Sequence, residues 1–468
     1  MALLSTEVLV IGAGPAGYVG AIKLGKLGKK VLLVDRDKLG GECLNYGCIP
    51  SKALIHSASQ LHKAQKAAAQ GFEASGLKLD WAKVQAWKGS MIAGFVRGIA
   101  GLEKGNNVAV AFGTARLTGP NTAEITSAAG TEKIEFQHAL LATGTRPMSI
   151  PGFAFDGKDI LSSKEALELA APPKSLLVIG GGVIGLEIGT VYAKLGTKVT
   201  VVEFMPQLLP GLEPELILPV SRGLQKLGVA VHLNSKAKAA AARDGLLSVT
   251  IETPEGVKTV EAEKILLSVG RAPITKDLGL EAAGVKTDAK GHIQVDASCR
   301  TDVPNIYAAG DVVGPPYLAH KASREAIVAA LAISGFPGSE RGAVPWAVFT
   351  EPEIAYVGET EAEAKARGAR VLVGRFPFAA SGRAQAVREP EGFVKVIADF
   401  ETHRVLGAGI VGPNASDLIG EACLAVKLGA TVEDIASTIH PHPTLSEAFM
   451  EAAEACLGEA IHILPSRR

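Results

Sequence analysis

Residues 7–35 read EVLVIGAGPAGYVGAIKLGKLGKKVLLVD, and residues 175–203 read SLLVIGGGVIGLEIGTVYAKLGTKVTVVE. Each is an apolar run of strand length, a glycine-rich turn, a helical stretch ending in Leu-Gly, a second apolar run and an acid. Gly12 stands 23 residues before Asp35, and Gly180 stands 23 before Glu203. A unit of this kind is the βαβ pattern that binds a dinucleotide. One GxGxxG would say little. Two copies, each in strand–turn–helix context with the acid in place, predict an α/β chain with two Rossmann-like dinucleotide-binding domains.

The residue types follow from the chemistry of binding a pyrophosphate and a ribose. Gly12 permits the tight turn, Gly14 lets a pyrophosphate approach, and Gly17 lets the helix pack on the strand; Gly180, Gly182 and Gly185 repeat the set. Free N–H groups and the dipole at the helix start hold the phosphates. Asp35 is placed for an adenosine ribose. Glu203 accepts a 2′-hydroxyl and repels a 2′-phosphate, and Phe204, Met205, Pro206 and Gln207 after it offer no cation, so NAD is expected rather than NADP. Two dinucleotides, one of them NAD, point to electron transfer between FAD and NAD. Position alone leaves open which unit takes FAD.

At 468 residues the chain has room for about three domains. Residues 40–70 read as helical after a glycine turn, and residues 106–150 alternate like short strands. Pro147, Pro151, Pro172 and Pro173 suggest a boundary near 150. The runs VAVHL, LLSVTIE and KILLSVG within 228–270 are strand-like, and 291–311 reads as strand, turn, strand and glycine turn. From about 346, AVFTEPEIAYVG, GFVKVIAD and VLGAGIVG read as strands before helical stretches from Ala415, which makes a separate α+β domain. Equal numbers of basic and acidic residues, 48 each, argue against binding nucleic acid or a membrane surface through a broad basic field. The first residues carry neither a basic n-region nor a cleavage site, and five cysteines cannot be a secreted disulfide framework, so a cytoplasmic protein is expected.

Two of those cysteines form a constellation. In GGECLNYGCIPSK, residues 40–52, Cys43 and Cys48 open a helical stretch, and Asn45 and Gly47 between them can turn the chain so that the sulfurs meet. A helix N-terminus lowers a thiol pKa, so at least one is expected to be partly thiolate, and two near cysteines can exchange reversibly with a disulfide. A zinc site would need two more ligands, with His56 the only near candidate, and no metal is expected. Cys299, Cys423 and Cys456 read as small buried residues. In HPHPTLSE, residues 440–447, His442 stands between two prolines and Glu447 follows five residues on, the arrangement of a base oriented by a carboxylate. His440 could serve instead, and spacing does not separate the two. His56 and His320 read as structural.

Together these stretches resemble the pyridine nucleotide–disulfide oxidoreductases over essentially the whole chain. The marks are GAGPAG (12–17), GGECLNYGCIPSK (40–52), LLATGTRP (140–147), GGGVIGLE (180–187), VGRAP (269–273), YAAGD (307–311), VFTEPEIAYVG (348–358) and HPHPTLSE (440–447). The resemblance implies an FAD-binding domain with the redox disulfide at 1–149, an NAD-binding domain at 150–275, a segment completing the FAD domain at 276–346 and a C-terminal α+β dimerisation domain at 347–468. FAD would lie on the first unit, with Asp35 on its ribose, Lys52 near the ring, Asp311 on the ribityl chain, and Ala115, Gly144 and Ala319 as further contacts. NAD would lie on the second, with Glu187 near the flavin and nicotinamide as a candidate partner of Lys52, and Gly270 lining the cleft. Cys43 would be the interchange thiol and Cys48 the one against the flavin. His442 rather than His440 would be the base, oriented by Glu447 and facing the disulfide of the other subunit of a homodimer.

Within the family the marks are those of members that oxidise a protein-bound dihydrolipoyl group with NAD+. The ending LGEAIHILPSRR lacks the cysteine pair of mercuric reductases, and Val183 stands where glutathione reductases carry a tyrosine. The chain opens at its first strand, so the lipoyl group is expected from a partner, the lipoyl-bearing domain and core acyltransferase of a 2-oxoacid dehydrogenase complex. Another NAD(P)H-dependent disulfide reductase or a flavin diaphorase of the same family is the alternative, and an assembly subunit with vestigial redox sites is a further one. Glu42, Tyr46 and Asp35 depart from the family pattern.

Overall fold

The computed structural model describes residues 4–73, 76–243, 245–337 and 342–464. The first repeat builds a seven-stranded sheet. Strand β1 (Leu4–Ile11) runs parallel to β2 (Val31–Asp35), which pairs with β3 (Val108–Phe112) at the edge. On its other side β1 is parallel to the long β6 (Gly130–Leu141), the last strand of an antiparallel meander with β4 (Thr114–Gly119) and β5 (Thr122–Ser127). Val8, Leu9 and Val10 are fully buried, as a central parallel strand covered on both faces must be. The helices α1 (Pro15–Lys26), α2 (Gly41–Tyr46), α3 (Cys48–Gln65) and α4 (Trp81–Gly105) accompany this sheet, and the later helix Ala319–Ile333 shares its core. Pro15 opens α1 at its first turn, where a missing N–H costs nothing.

A short ribbon crosses to the second sheet, β7 (Thr145–Pro147) pairing antiparallel with a later strand, Arg271–Pro273. The second repeat gives five parallel strands. In chain order they are β8 (Ile160–Leu161), β9 (Ser175–Ile179), β10 (Lys198–Val202), β11 (Ala230–His232) and Lys264–Leu267, and in space β11–β10–β9–(264–267)–β8. Between β8 and β10 come α5 (Ser163–Leu167) and α6 (Val183–Lys194). Further on, Ile306–Ala308 returns to the first sheet and pairs parallel with the second half of β6.

The expectation of a strand at the start of 291–311 is corrected: residues 291–305 hold no strand, and only the isolated bridges Thr287 to Ile293 and Arg300 to Tyr307 touch them. Asp288 and Asp296 accept the backbone N–H groups of Lys290 and His292, and of Ser298 and Arg300, at 2.8–2.9 Å, and between these turns the Ile293 and Gln294 N–H groups donate to two different segments, at Val312 O and Lys286 O, so no continuous ladder forms.

The last sheet is antiparallel, in the order 346–348, 353–358, 405–412, 393–399, 371–377. Helices Ala415–Leu428 and Glu447–Leu457 close over it through Ile419, Ala422, Phe449 and Ala452. Two packings place the site. α3 lies along α6, sharing a core of Leu54, Ala58, Leu186 and Tyr192, with Lys194 Nζ donating to Ser59 Oγ at 2.7 Å. The connection between the strands 346–348 and 353–358 of the last sheet reaches the same corner, because the Phe349 N–H donates to Glu187 Oε1 at 3.0 Å. Among the described residues no helix is long and apolar enough to cross a membrane.

Candidate active site

The two glycine turns have the same construction. A Cβ on Gly12, whose φ is +101°, would stand 2.3 Å from the Ala142 carbonyl oxygen, and on Gly180, φ +106°, 2.4 Å from that of Ser268. On Gly17 and Gly185 it would meet the carbonyl oxygen of the first glycine at 1.7 and 2.2 Å. On Gly14 and Gly182 it would meet no protein atom within 4 Å. The first and third glycines are thus demanded by the fold, while the second faces open space at a helix N-terminus, where a pyrophosphate fits. The acids match as well. Asp35 Oδ2 accepts the Ala13 N–H at 2.6 Å and Oδ1 that of Asp37 at 2.7 Å; Glu203 accepts the Gly181 N–H at 2.6 Å and the Met205 N–H at 2.7 Å. Each carboxylate is fixed beside its own glycine turn. Phe204, 68% exposed, adds no cation near the second one.

Cys43 lies in α2 and Cys48 opens α3, with the chain bending at Gly47 between them. A Cβ on Gly47 would lie 3.6 Å from Cys43 Cα, so the bend folds α2 back against the start of α3. Asn45 fixes the turn, its amide donating to Leu39 O and Gly41 O at 2.9 Å each. Both cysteines are free and half-buried. The neighbouring Cys43 thiol, and the Lys52 ammonium one turn along α3, hold Cys48 below the ordinary thiol range against burial. Cys43 is pushed up by the neighbouring Cys48 and by burial. The direction favours charge on Cys48, in keeping with its place at a helix N-terminus.

Lys52 Nζ donates to Glu187 Oε2 at 2.7 Å, with the Glu187 side chain only 5% exposed, and the same ammonium lies 4.4 Å from the Phe349 ring centroid. This ion pair ties the cysteine helix of the first glycine unit to the dinucleotide helix of the second. Asp311 opens a short 3-10 turn after the strand 306–308; burial raises its carboxyl, and Thr145 Oγ1 donates to it at 3.0 Å. Gly144 and Gly270 flank the β7 ribbon: the Ile274 N–H donates to Gly144 O at 2.9 Å, and the Met148 N–H to Gly270 O at 3.1 Å. Ala115 is buried in β4 and Ala319 begins the helix Ala319–Ile333.

His442 and His440 differ in their surroundings. His442 Nδ1 is 2.8 Å from Glu447 Oε1, its ring is 78% exposed, and Nε2 has no protein hydrogen-bond partner among the described residues. Glu447 Oε2 accepts the Thr444 N–H at 2.7 Å; burial opposes, yet that bond and His442 hold the carboxyl below its usual range. The His440 ring is buried, with Nδ1 at 2.8 Å from Thr438 O and Nε2 at 2.9 Å from Glu421 Oε1, so both ring nitrogens are committed. Of the two, His442 alone has a nitrogen to offer. His320 binds the Pro345 carbonyl through Nε2 at 2.7 Å. Three residues of this corner escaped the sequence reading as contributors: Thr145, Arg271 and Phe349. The first two sit inside the LLATGTRP and VGRAP stretches, but only the fold shows that Arg271 reaches across to Glu42 and Thr145.

The chain matches the family pattern described as pyridine nucleotide-disulphide oxidoreductase over residues 6–326, and the dimerisation domain of that family over 344–453. It is 47% identical over 462 residues to the dihydrolipoyl dehydrogenase of Geobacillus stearothermophilus, and 48% identical over 465 residues to that of Haloferax volcanii, covering 98% of each chain in both cases. Its structure is similar to that of LpdA from Mycobacterium tuberculosis, with a TM-score of 0.89 at 30% identity over 96% of this chain and 99% of that one. It is also similar to the HOCl-induced flavoprotein disulfide reductase RclA from Escherichia coli, with a TM-score of 0.85 at 25% identity over 96% and 99%.

Proposed function

The chain belongs to the pyridine nucleotide-disulphide oxidoreductases, and from that premise we propose that it oxidises protein-bound dihydrolipoamide to lipoamide with NAD+, as a homodimer serving a 2-oxoacid dehydrogenase complex in the cytoplasm. The observation that carries this is the Lys52–Glu187 ion pair, which joins the helix that Cys48 opens to the dinucleotide helix of the second unit and so brings the Cys43 and Cys48 pair to the junction of two dinucleotide units. The similarity to dihydrolipoyl dehydrogenases over 98% of the chain supports the choice of substrate.

FAD fits the first unit, where Gly12, Gly14 and Gly17 shape the phosphate turn, Asp35 stands for the ribose, Asp311 for the ribityl chain, Lys52 for the ring, and Ala115, Gly144 and Ala319 for further contacts. NAD fits the second, through Gly180, Gly182, Gly185 and Glu203, with Glu187 and Gly270 toward the nicotinamide. Bound in the first unit, FAD would supply the two-electron redox chemistry that links the cysteine pair to NAD+. The protein's own steps are proton and thiol steps. A substrate thiol gives its proton to His442 Nε2 and attacks Cys43 of the oxidised pair, releasing Cys48 as thiolate. The second substrate thiol then displaces Cys43 and closes the lipoamide disulfide. Glu447 holds Nδ1 protonated so that Nε2 is the basic atom, and stabilises the imidazolium. Lys52 and the α3 N-terminus hold the negative charge on Cys48.

The exposed Nε2 of His442 needs a thiol to act on, and in the homodimer that is the partner subunit's cysteine pair. Leu424, Leu428 and Ile439, 57%, 70% and 95% exposed, give this end of the chain an apolar surface for such a contact. The test is a panel of steady-state assays with the FAD-loaded protein: dihydrolipoamide with NAD+, dihydrolipoamide with NADP+, and glutathione disulfide with NADH. Rapid turnover in the first alone is expected. Preference for glutathione disulfide, or no dihydrolipoamide turnover, would overturn the substrate.

A further inference from the structure

The short helix α2 carries Cys43 and has only six residues, too few for a helix to persist unaided in water. It has no side-chain N-cap, so tertiary contacts must hold it. Leu44 enters the apolar core beside α1, Asn45 binds Leu39 O and Gly41 O, and a Cβ on Gly41 would lie 2.5 Å from Gly14 Cα. The two remaining side chains besides Cys43 are the departures from the family pattern, Glu42 and Tyr46, and both are tied down. The Arg271 guanidinium, 14% exposed, donates through Nη2 to Glu42 Oε2. The same guanidinium donates through Nε to Thr145 Oγ1 at 2.7 Å and through Nη2 to Thr145 O at 3.0 Å, and Thr145 Oγ1 donates to Asp311. At the other end the Tyr46 hydroxyl donates to Asp37 Oδ2 at 2.8 Å, and Lys164 of α5 and Lys38 lie 4.3 and 5.2 Å from the ring centroid.

We propose that Glu42 and Tyr46 are positioning residues that brace α2 at its two ends and so set how readily the Cys43–Cys48 disulfide closes. A disulfide forms only within a narrow range of Cα separation and Cβ direction. Cys48 is anchored on an eighteen-residue helix, so the register between the sulfurs is set by α2. Glu42 ties α2 to the β7 ribbon and, through Arg271 and Thr145, to Asp311. Tyr46 ties it to the segment after β2. Holding two thiols in place raises their effective concentration toward each other, which favours disulfide over dithiol. Loosening either brace lets the thiols part and makes the disulfide easier to reduce. This rests on the assignment of Cys43 and Cys48 as the reactive pair, though not on the identity of the substrate.

The test equilibrates the FAD-loaded protein anaerobically with mixtures of reduced and oxidised dithiothreitol, then alkylates it and counts free Cys43 and Cys48 by mass. Protein disulfide and dithiothreitol exchange two electrons and two protons for protein dithiol and oxidised dithiothreitol, so the balance needs no other reagent. Glu42→Gln and Tyr46→Phe should each move the equilibrium toward the dithiol by about threefold to tenfold, the worth of one hydrogen bond. In an Arg271→Met background, Glu42→Gln should add nothing further, because Glu42 acts through Arg271. An equilibrium unmoved in both single variants, even with a lowered melting temperature, would overturn the brace and leave the contacts merely structural. So would an undiminished effect of Glu42→Gln in the Arg271→Met background. A wild-type pair that cannot be oxidised by any mixture would overturn the reactive-pair assignment itself, and the brace with it.

Discussion

Replacing Glu447 by Gln isolates what the carboxylate does for His442. Its two oxygens serve two donors: Oε1 takes the His442 Nδ1–H at 2.8 Å and Oε2 takes the Thr444 N–H at 2.7 Å. Glutamine has one oxygen for both. If that oxygen stays with Thr444, the amide NH2 faces Nδ1, which must give up its proton and force it onto Nε2, the atom that has to receive one. If the oxygen turns to Nδ1, the NH2 confronts the Thr444 N–H. Either way a charge-assisted hydrogen bond worth about 1.5–3 kcal/mol is lost, roughly 10- to 100-fold in rate. The wrong tautomer deepens the loss toward ~10⁴, the size of the effect when the carboxylate of a serine-protease triad becomes a carboxamide. The expected outcome is a fall of about 10-fold or more, reaching toward ~10⁴ where the tautomer switches, in dihydrolipoamide-dependent NAD+ reduction. The control is NADH oxidation by ferricyanide in the same preparation, which uses no thiol base and should stay within about twofold of wild type. Dihydrolipoamide turnover within about threefold of wild type, or equal losses in the two assays, would refute the orientation of His442 by Glu447.

Three other outcomes follow from single groups. Glu203→Ala removes the carboxylate that would exclude a 2′-phosphate; the preference for NAD+ over NADP+ in kcat/KM should narrow by about 10-fold or more, and an unchanged ratio would mean another group discriminates. Lys52→Met removes the ammonium that helps hold Cys48 as thiolate, so the pH profile of iodoacetamide alkylation of the reduced pair should move to higher pH; a profile that stays put would assign the low thiol range to the helix N-terminus and Cys43 alone. Glu103, fully buried in α4 with both oxygens unpartnered among the described residues, has its carboxyl pushed up to about 8 by burial. The native state therefore keeps a proton that the unfolded chain releases above its ordinary 4.5, and stability is lost between about pH 4.5 and 8. Glu103→Gln should be the more stable protein at pH 8, by about 2–4 kcal/mol, and should lose that advantage near pH 5, as thermal melts at the two pH values would show.

Much of this site is local chemistry, and so it was legible in the chain. The two glycine turns, their acids and the Cys43–Cys48 and His442–Glu447 stretches each lie within about thirty residues, where spacing determines geometry. The sheet expectations held where strands were apolar on both faces, as in β1 and β9. They failed at 291–296, where GHIQVD has the alternation of a strand but Asp288 takes the His292 N–H, and the Ile293 and Gln294 N–H groups go to two different segments, Val312 O and Lys286 O, so no single partner strand forms. His440 and His442 could not be separated by spacing, because what separates them is Glu421, 19 residues away in sequence, which takes the second nitrogen of His440. Arg271 lies 229 residues from Glu42 and Glu187 lies 135 from Lys52. Pairings across such distances depend on how α3 meets α6 and how the β7 ribbon crosses, and no local pattern encodes them.

The most direct test mixes the FAD-loaded protein anaerobically with dihydrolipoamide and NAD+ and follows absorbance at the NADH band, in wild type and in Cys43→Ser. Wild type should form one NADH for each dihydrolipoamide oxidised, and the Cys43→Ser protein should form essentially none while still oxidising NADH with ferricyanide. NADH formation that survives the loss of Cys43, or a wild-type protein that forms none, would contradict the assignment of Cys43 and Cys48 as the reactive pair of a dihydrolipoyl-oxidising enzyme.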